Sequence, residues 1–332
     1  MAEYKTVKGF NIETLSSDPS NLSEGQIWYN STSNDLKGYA DSAGAWATGT
    51  ALDTAHGLAL ELGTSTAAIV VAGNGPSDAY INTSSEWDGS SWTAGGSLTR
   101  SPPLGTSGQL GFGTQTTATA CGGHQSGPLV SFPTLVEEYN GTGWTAVTAM
   151  SNGRNDGCGA GTRTAGLVYC GTTPGGTGTT VEEYDGTSWT AGGAINNGRP
   201  RPMGSTCGTQ TAALAIGGDG QTTKIEEYNG VGWTEVTAIP TASTNGGCSG
   251  IQTAALSFAG GPSTAGATAT FSYDGSAWSA EAALTTGRSY VNALGTSSAA
   301  KLCGGGYPFN SPVMLYVEDW TSGVKTVTFT DS

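Results

Sequence analysis

The sequence predicts an all-β fold, a β-propeller of seven four-stranded antiparallel blades, with six blades plus an N-terminal hairpin as the alternative. Three observations predict it. The first is a sentence repeated five times: Trp87-Asp88-Gly89-Ser90-Ser91-Trp92, Tyr139-Asn140-Gly141-Thr142-Gly143-Trp144, Tyr184-Asp185-Gly186-Thr187-Ser188-Trp189, Tyr228-Asn229-Gly230-Val231-Gly232-Trp233 and Tyr273-Asp274-Gly275-Ser276-Ala277-Trp278. The second is its period of about 45 residues, which is that of a propeller or a related array. The third is a pair of weaker copies at the ends, Tyr39 to Trp46 and Glu318-Asp319-Trp320, the latter with Lys325 where Trp should stand. Terminal repeats are often atypical because they close or cap the array.

The elements of one unit follow in order from Cys207 to Ile239. A small-residue stretch before and around Cys207 supplies the inner strand, where blades crowd the axis. Thr211 to Gly218 is a short apolar run ending at Gly-Gly, the pattern of a buried strand. Thr223 to Tyr228 mixes apolar and acidic residues and forms the third strand. Asn229-Gly230 is a hairpin signal, expected as a tight turn with both central residues at positive φ. Trp233 to Ile239 is the outer strand, so one unit supplies one blade. Trp46, Trp92, Trp144, Trp189, Trp233 and Trp278 open the outer strands and are expected to be packing anchors.

Composition narrows the function. Charged residues are 11% and the net charge is −14, with 12 Lys plus Arg and no basic run. Phosphate backbones are held by clustered Lys and Arg, so nucleic acid is not expected as a partner. No apolar stretch approaches the 18 residues of a membrane span, so no membrane insertion is expected. Met1-Ala2-Glu3-Tyr4-Lys5 does not open a signal peptide. Synthesis in a cytoplasm, with retention or release by lysis, is the expectation. All six cysteines are expected as free buried thiols, with Cys121, Cys170 and Cys303 read as equivalent to Ala72, Ile216 and Ala259, and Cys158, Cys207 and Cys248 on the next equivalent strand.

Apolar strand, Gly-Gly, acidic-aromatic strand, Asx turn, Trp strand and Gly-Arg together resemble the kelch repeat of galactose-oxidase-type propellers. The resemblance covers nearly the whole chain and implies the fold; such propellers bind, scaffold or catalyse. Residues Pro19 to Tyr39, with Glu24-Gly25-Gln26-Ile27-Trp28-Tyr29-Asn30, resemble a segment of tailed-bacteriophage structural and tail-fibre proteins, where it forms a small hairpin. Two regions are therefore expected: 1–50, an N-terminal segment with an atypical first blade or attachment hairpin, and 51–332, a kelch-like propeller.

Candidate chemistry is sparse. Arg100, Arg154, Arg199 and Arg288 recur after the outer strand, with Arg201 nearby. They read either as a ring that binds an anion or acidic sugar, or as structural partners of carboxylates such as Glu138, Glu183 and Glu227. Repetition favours the second. The pairs Glu137-Glu138, Glu182-Glu183 and Glu226-Glu227 cannot act together on one substrate, because neighbours in a strand point to opposite faces. Two histidines, His56 and His124, do not make a copper site of the galactose-oxidase kind. Motifs of a nucleophile elbow, a P-loop or a zinc protease do not occur. No cofactor, no metal and no enzymatic activity are expected.

In a four-stranded meander the second-to-third loop and the blade-to-blade linker share one face, and the Asx turns lie on the other. The first face varies. Its loops Gly122 to Thr134 and Gly304 to Val313 carry His124, Phe132, Tyr307 and Phe309. With Arg154, Arg199 and Arg201 these are the candidate binding residues of the variable face. The expected role is a non-enzymatic bacteriophage virion protein, a tail or fibre subunit or a capsid decoration. It would contact other virion proteins and a host-surface glycan or receptor, with self-association left open. A bacterial carbohydrate-binding or glycan-active propeller is the alternative.

Overall fold

The computed structural model describes residues 12–19, 26–75, 79–100, 104–105, 110–125, 132–203, 207–220, 222–261, 267–291, 293–304 and 315–329. Two compact units emerge: residues 46–320, and residues 1–45 with 321–332.

The larger unit is a β-propeller. Its first sheet is Leu60–Thr64, Ala67–Asn74, Tyr80–Trp87 and Trp92–Ala94; the second is Leu110–Thr114, Thr117–Cys121, Val136–Tyr139 and Trp144–Ala146. The third is Cys158–Thr162, Ala165–Tyr169, Val181–Tyr184 and Trp189–Gly192; the fourth is Gly208–Thr209, Ala212–Ile216, Ile225–Tyr228 and Trp233–Val236. The fifth is Gly247–Ile251, Ala254–Phe258, Thr270–Tyr273 and Trp278–Ala280. The sixth joins Leu294–Gly295, Ala299–Cys303, Val317–Phe329 and Asp35–Thr48 in that order. Each first strand packs against that of the next sheet, and Leu294–Gly295 packs against Leu60–Thr64, so the six inner strands close a ring.

Among the described residues the count is therefore six, the alternative, and not seven. Trp46 and Trp320 lie on two strands of the same sheet. The first and last sequence copies are two halves of one blade. This closure hides the edges that an open array would expose.

Six apolar clusters fill the six seams between sheets. One holds Leu110, Phe112, Val136, Val168 and Tyr184, between the second and third sheets. Another holds Met203, Ile216, Ile239, Cys248 and Tyr273, between the fourth and fifth. The inner strands approach closely: a Cβ at Gly159 would collide with the carbonyl oxygen of Gly111 in the preceding sheet.

The Asx turns differ from the two-residue hairpin expected. The aromatic pairs directly with the Trp, as in Tyr139↔Trp144, leaving four loop residues. Only the glycine is left-handed, at φ 84° to 96°. The Asn140 side chain accepts the amides of Thr142 at 3.0 Å and Gly143 at 2.9 Å. The Asx carboxylate or amide, rather than a second positive φ, closes the loop.

In the smaller unit Ile27–Asn30 pairs antiparallel with the start of Asp35–Thr48, and Glu13–Leu15 runs parallel to Ile27–Asn30. Asp18 accepts from the Trp28 indole at 3.1 Å, Asn30 at 2.7 Å and Lys37 at 2.8 Å. These bonds, that to Lys37 first, hold its carboxyl at about 2.

Candidate functional site: the linker face

Each linker between sheets passes the kinked end of the next sheet's second strand. The kink is a left-handed residue at φ 52° to 60°: Ala72, Gly122, Cys170, Gly217, Ala259 and Gly304. Its carbonyl accepts a bond from one linker side chain in every seam. The donors are His56 Nδ1 at 2.7 Å, Arg100 at 2.9 Å, Arg154 at 3.3 Å, Arg199 at 2.5 Å, Ser243 at 3.4 Å and Arg288 at 3.1 Å. Aligned on the kink, Cys170 corresponds to Gly122 and Cys121 to Tyr169. The equivalence drawn between Cys121 and Cys170 from sequence is off by one.

The arginines are structural. Arg100 meets Glu137 at 2.7 Å, Arg154 meets Glu182 at 3.0 Å, Arg199 meets Glu226 at 2.7 Å and Arg288 meets Glu318 at 2.8 Å. All eight side chains are buried. Burial pushes the pKa values of Arg100, Arg154 and Arg288 down, and their glutamates oppose the shift. The partner is the first glutamate of each pair, not Glu138, Glu183 or Glu227 as the sequence suggested. Alternation explains this: the first faces the preceding linker, and the second faces the following sheet. There Tyr184 donates to Glu138 at 2.9 Å, Tyr228 to Glu183 at 2.5 Å and Tyr273 to Glu227 at 2.9 Å. Arg154 and Arg199 are therefore absent from any binding surface.

The tryptophans also bind seams. Trp92, Trp144, Trp189, Trp233 and Trp278 donate their indole N–H to the preceding linker's carbonyls at Thr50, Gly96, Thr148, Gly193 and Thr237, at 3.0 to 3.2 Å. Trp46 donates to Thr270 Oγ1 at 3.0 Å. Sequence reasoning missed a second brace: Gln115, Gln210 and Gln252 reach carbonyls of the preceding sheet from the first-to-second turn. The recurring Thr-Gln-Thr and Gln-Thr pattern was its signal.

Two positions beyond His56, Arg154, Arg199, Ser243 and Arg288 the backbone turns left-handed again. Leu58, Asp156, Arg201, Asn245 and Tyr290 occupy this point at φ 53° to 58°. Non-glycine residues seldom adopt this region, and such outliers cluster at functional sites. Consecutive linkers are tied there: Arg201 N donates to Asp156 O at 2.7 Å, Asn245 N to Arg201 O at 3.3 Å and Val291 N to Asn245 O at 3.3 Å. The Arg201 guanidinium lies between Asp156 at 3.5 Å and Asp219 at 3.3 Å. Thr244 Oγ1 donates to Asp219 at 3.2 Å. The Arg201 side chain is 37% exposed. The cluster thus offers a positioned guanidinium, carboxylate oxygens and a hydroxyl, the donors and acceptors that polar groups recognise.

Of the other candidates, His124 is half-buried and pairs with Gly105 in a two-stranded ladder. Phe132 is half-buried, its carbonyl against Gly153, three positions before Asp156. Tyr307 and Phe309 lie outside the described residues. Leu135 and Tyr316 follow the two loops singled out from sequence, and they are 45% and 63% exposed. Their carbonyls accept from equivalent amides, Gly122 and Gly304. Among the described residues no group of three His, Cys, Asp or Glu could hold a metal ion.

One cysteine expectation fails. Cys207 and Cys248 form a disulfide, with Cα atoms 5.8 Å apart. Cys207 directly precedes Gly208–Thr209 and Cys248 lies in Gly247–Ile251, so residues far apart in sequence meet across the seam between neighbouring inner strands. Cys121, Cys158, Cys170 and Cys303 are buried and lie outside this disulfide. Burial raises the thiol pKa of Cys121 to about 12 and of Cys170 to about 11.

Fold and site together define a β-propeller with structural seams and a divergent linker face. A solved structure described as "Structure of YjhT" is similar to this chain with a TM-score of 0.65 at 12% identity, covering 83% of this chain and 98% of that one. No protein-family model and no curated protein matches the sequence. The likeness establishes the fold.

Proposed function

We propose that the chain is a non-enzymatic structural protein of a bacteriophage particle, a tail or fibre subunit or a capsid decoration, whose linker face binds another protein or a host-surface glycan. One observation carries the binding reading: the two ends of the propeller differ. One end repeats the same Asx turn, with Asp or Asn accepting the same two amides. At the other, one repeated backbone position carries Leu58, Asp156, Arg201, Asn245 and Tyr290, five different side chains, of which Leu58 and Arg201 reach solvent and the other three are buried. A scaffold needs no such divergence, whereas a recognition surface does.

The particle reading rests on the resemblance of residues 19–39 to phage structural segments and on the hairpin at Ile27–Asn30. Mass spectrometry of purified particles tests it, and the protein is expected as a stoichiometric component. Its absence from particles sinks the reading. Arg201→Glu is expected to leave incorporation intact and to weaken partner or glycan binding at least about tenfold, by loss of a charged hydrogen-bonding group. The polar cluster around Arg201 also supports the second reading, a free glycan-binding propeller of bacterial origin. That protein would keep its binding when residues 1–25 are removed.

A further inference from the structure

Five seams place a charged or imidazole side chain in the linker slot, four with a glutamate partner. In the sixth-to-first seam His56 fills the slot and bonds Ser85 at 3.0 Å, where four of the other sheets have glutamate. The seam between the fourth and fifth sheets has neither. Ser243 stands in the arginine slot, and Phe271 stands where Glu137, Glu182, Glu226 and Glu318 stand elsewhere. The space released remains as a cavity of about 90 Å³ lined by Met203, Ile239, Ser243, Ser257, Phe258 and Phe271. The Cys207–Cys248 bond joins the inner strands of this same seam.

We propose that this seam is a thiol-controlled latch, in which the Cys207–Cys248 bond does what the buried Arg–Glu pair does in four others. In the bonded form the inner strands at Cys207 and Cys248 are held covalently. In the reduced form the seam keeps its apolar packing, the Tyr273–Glu227 bond and the Trp278 bond to Thr237, but no ion pair fills its slot. It then becomes the first to open. Opening is a two-electron step: an external dithiol breaks the S–S bond, Cys207 and Cys248 each take a proton, and the dithiol closes its own disulfide. Both cysteines are fully buried, so the dithiol attacks when the seam breathes, and the cavity beside it gives the strands room to part.

The test uses the full chain, first oxidised with glutathione disulfide, and counts thiols after denaturation without reductant. Four are expected; six overturn the proposal. Hydrogen exchange is then followed with and without dithiothreitol. Amides of Gly208–Thr209 and Gly247–Ile251 are expected to exchange about tenfold faster when reduced, with Cys158–Thr162 unchanged. Acceleration spread evenly over all inner strands, or none, overturns it. Cys207→Ser should show the fast pattern with or without dithiol. Ser243→Arg combined with Phe271→Glu restores an ion pair and should cut the effect of dithiothreitol to about twofold or less. An undiminished effect in that folded variant shows that the missing pair is not what makes the seam depend on the bond.

Discussion

Arg154 is fully buried, with Glu182 at 3.0 Å and the carbonyl of Thr180 at 2.7 Å. Removing one partner leaves an uncompensated buried charge, which typically costs about 3–5 kcal/mol. Arg154→Met is expected to lower unfolding free energy by that amount in urea titration, while Arg154→Met with Glu182→Leu recovers most of it. Trp144 is buried and Trp189 is half-buried. Trp144→Ala should cost about 3–5 kcal/mol; Trp189→Ala should also lower the melting temperature, but less. An unchanged melting temperature for Trp189→Ala would mark it as a surface platform.

His56 gives a pH test. Its Nδ1–H donates to the Ala72 carbonyl, so Nε2 accepts from Ser85. Burial lowers its pKa below 6.5, against the opposing pull of that carbonyl. The unfolded chain therefore binds the proton first. Stability is full above 6.5 and falls as pH drops from 6.5 towards the lower folded value. Between about pH 7.5 and 5 the wild type should lose more melting temperature than His56→Gln, which lacks the titration. Equal losses would place the pH sensitivity elsewhere.

At the scale of elements, the decisive strand is Asp35–Thr48. Trp46, near its end, packs on Phe258 at 4.7 Å and Trp320 at 5.4 Å. Removing residues 1–25 takes away Glu13–Leu15 and Asp18 but leaves this strand. Calorimetry should find the propeller's melting temperature nearly unchanged. Removing residues 1–48 deletes the outer strand of the sixth sheet, and the melting temperature should fall by roughly 10 °C or more. Equal melting of the two truncations would mean that the strand does not close the ring.

The repeat was legible in sequence because aromatic, Asx, Gly and Trp lie within six residues of one another and recur. The count was not legible. Closure pairs the strand of Trp46 with that of Trp320, and no local pattern says that two incomplete copies are one sheet. The disulfide was hidden similarly. Cys207 and Cys248 are 41 residues apart in sequence and adjacent in space. Arg154 and Arg199 were readable as structural because they recur. His56 and Ser243 were not recognised as occupants of the same slot because their chemistry differs. The left-handed turn at Arg201 leaves no mark in the sequence, since glycine does not occupy it in any described linker.

For the whole molecule, the claim is that a ring of six interlocked sheets turns one divergent face outward. A net charge of −14 with charged residues at 11% leaves a surface mostly of hydroxyls, amides and glycine. On that surface Arg201, Leu135 and Tyr316 are the proposed contact groups. Site-specific photo-crosslinking in purified particles measures this most directly, with the reactive group placed at Arg201 on the linker face or at Thr142 on the Asx-turn face. Cross-links from position 201 to a second protein or to host-surface glycan, with few from position 142, are the predicted result. Cross-links from position 142 with none from 201 would contradict the account.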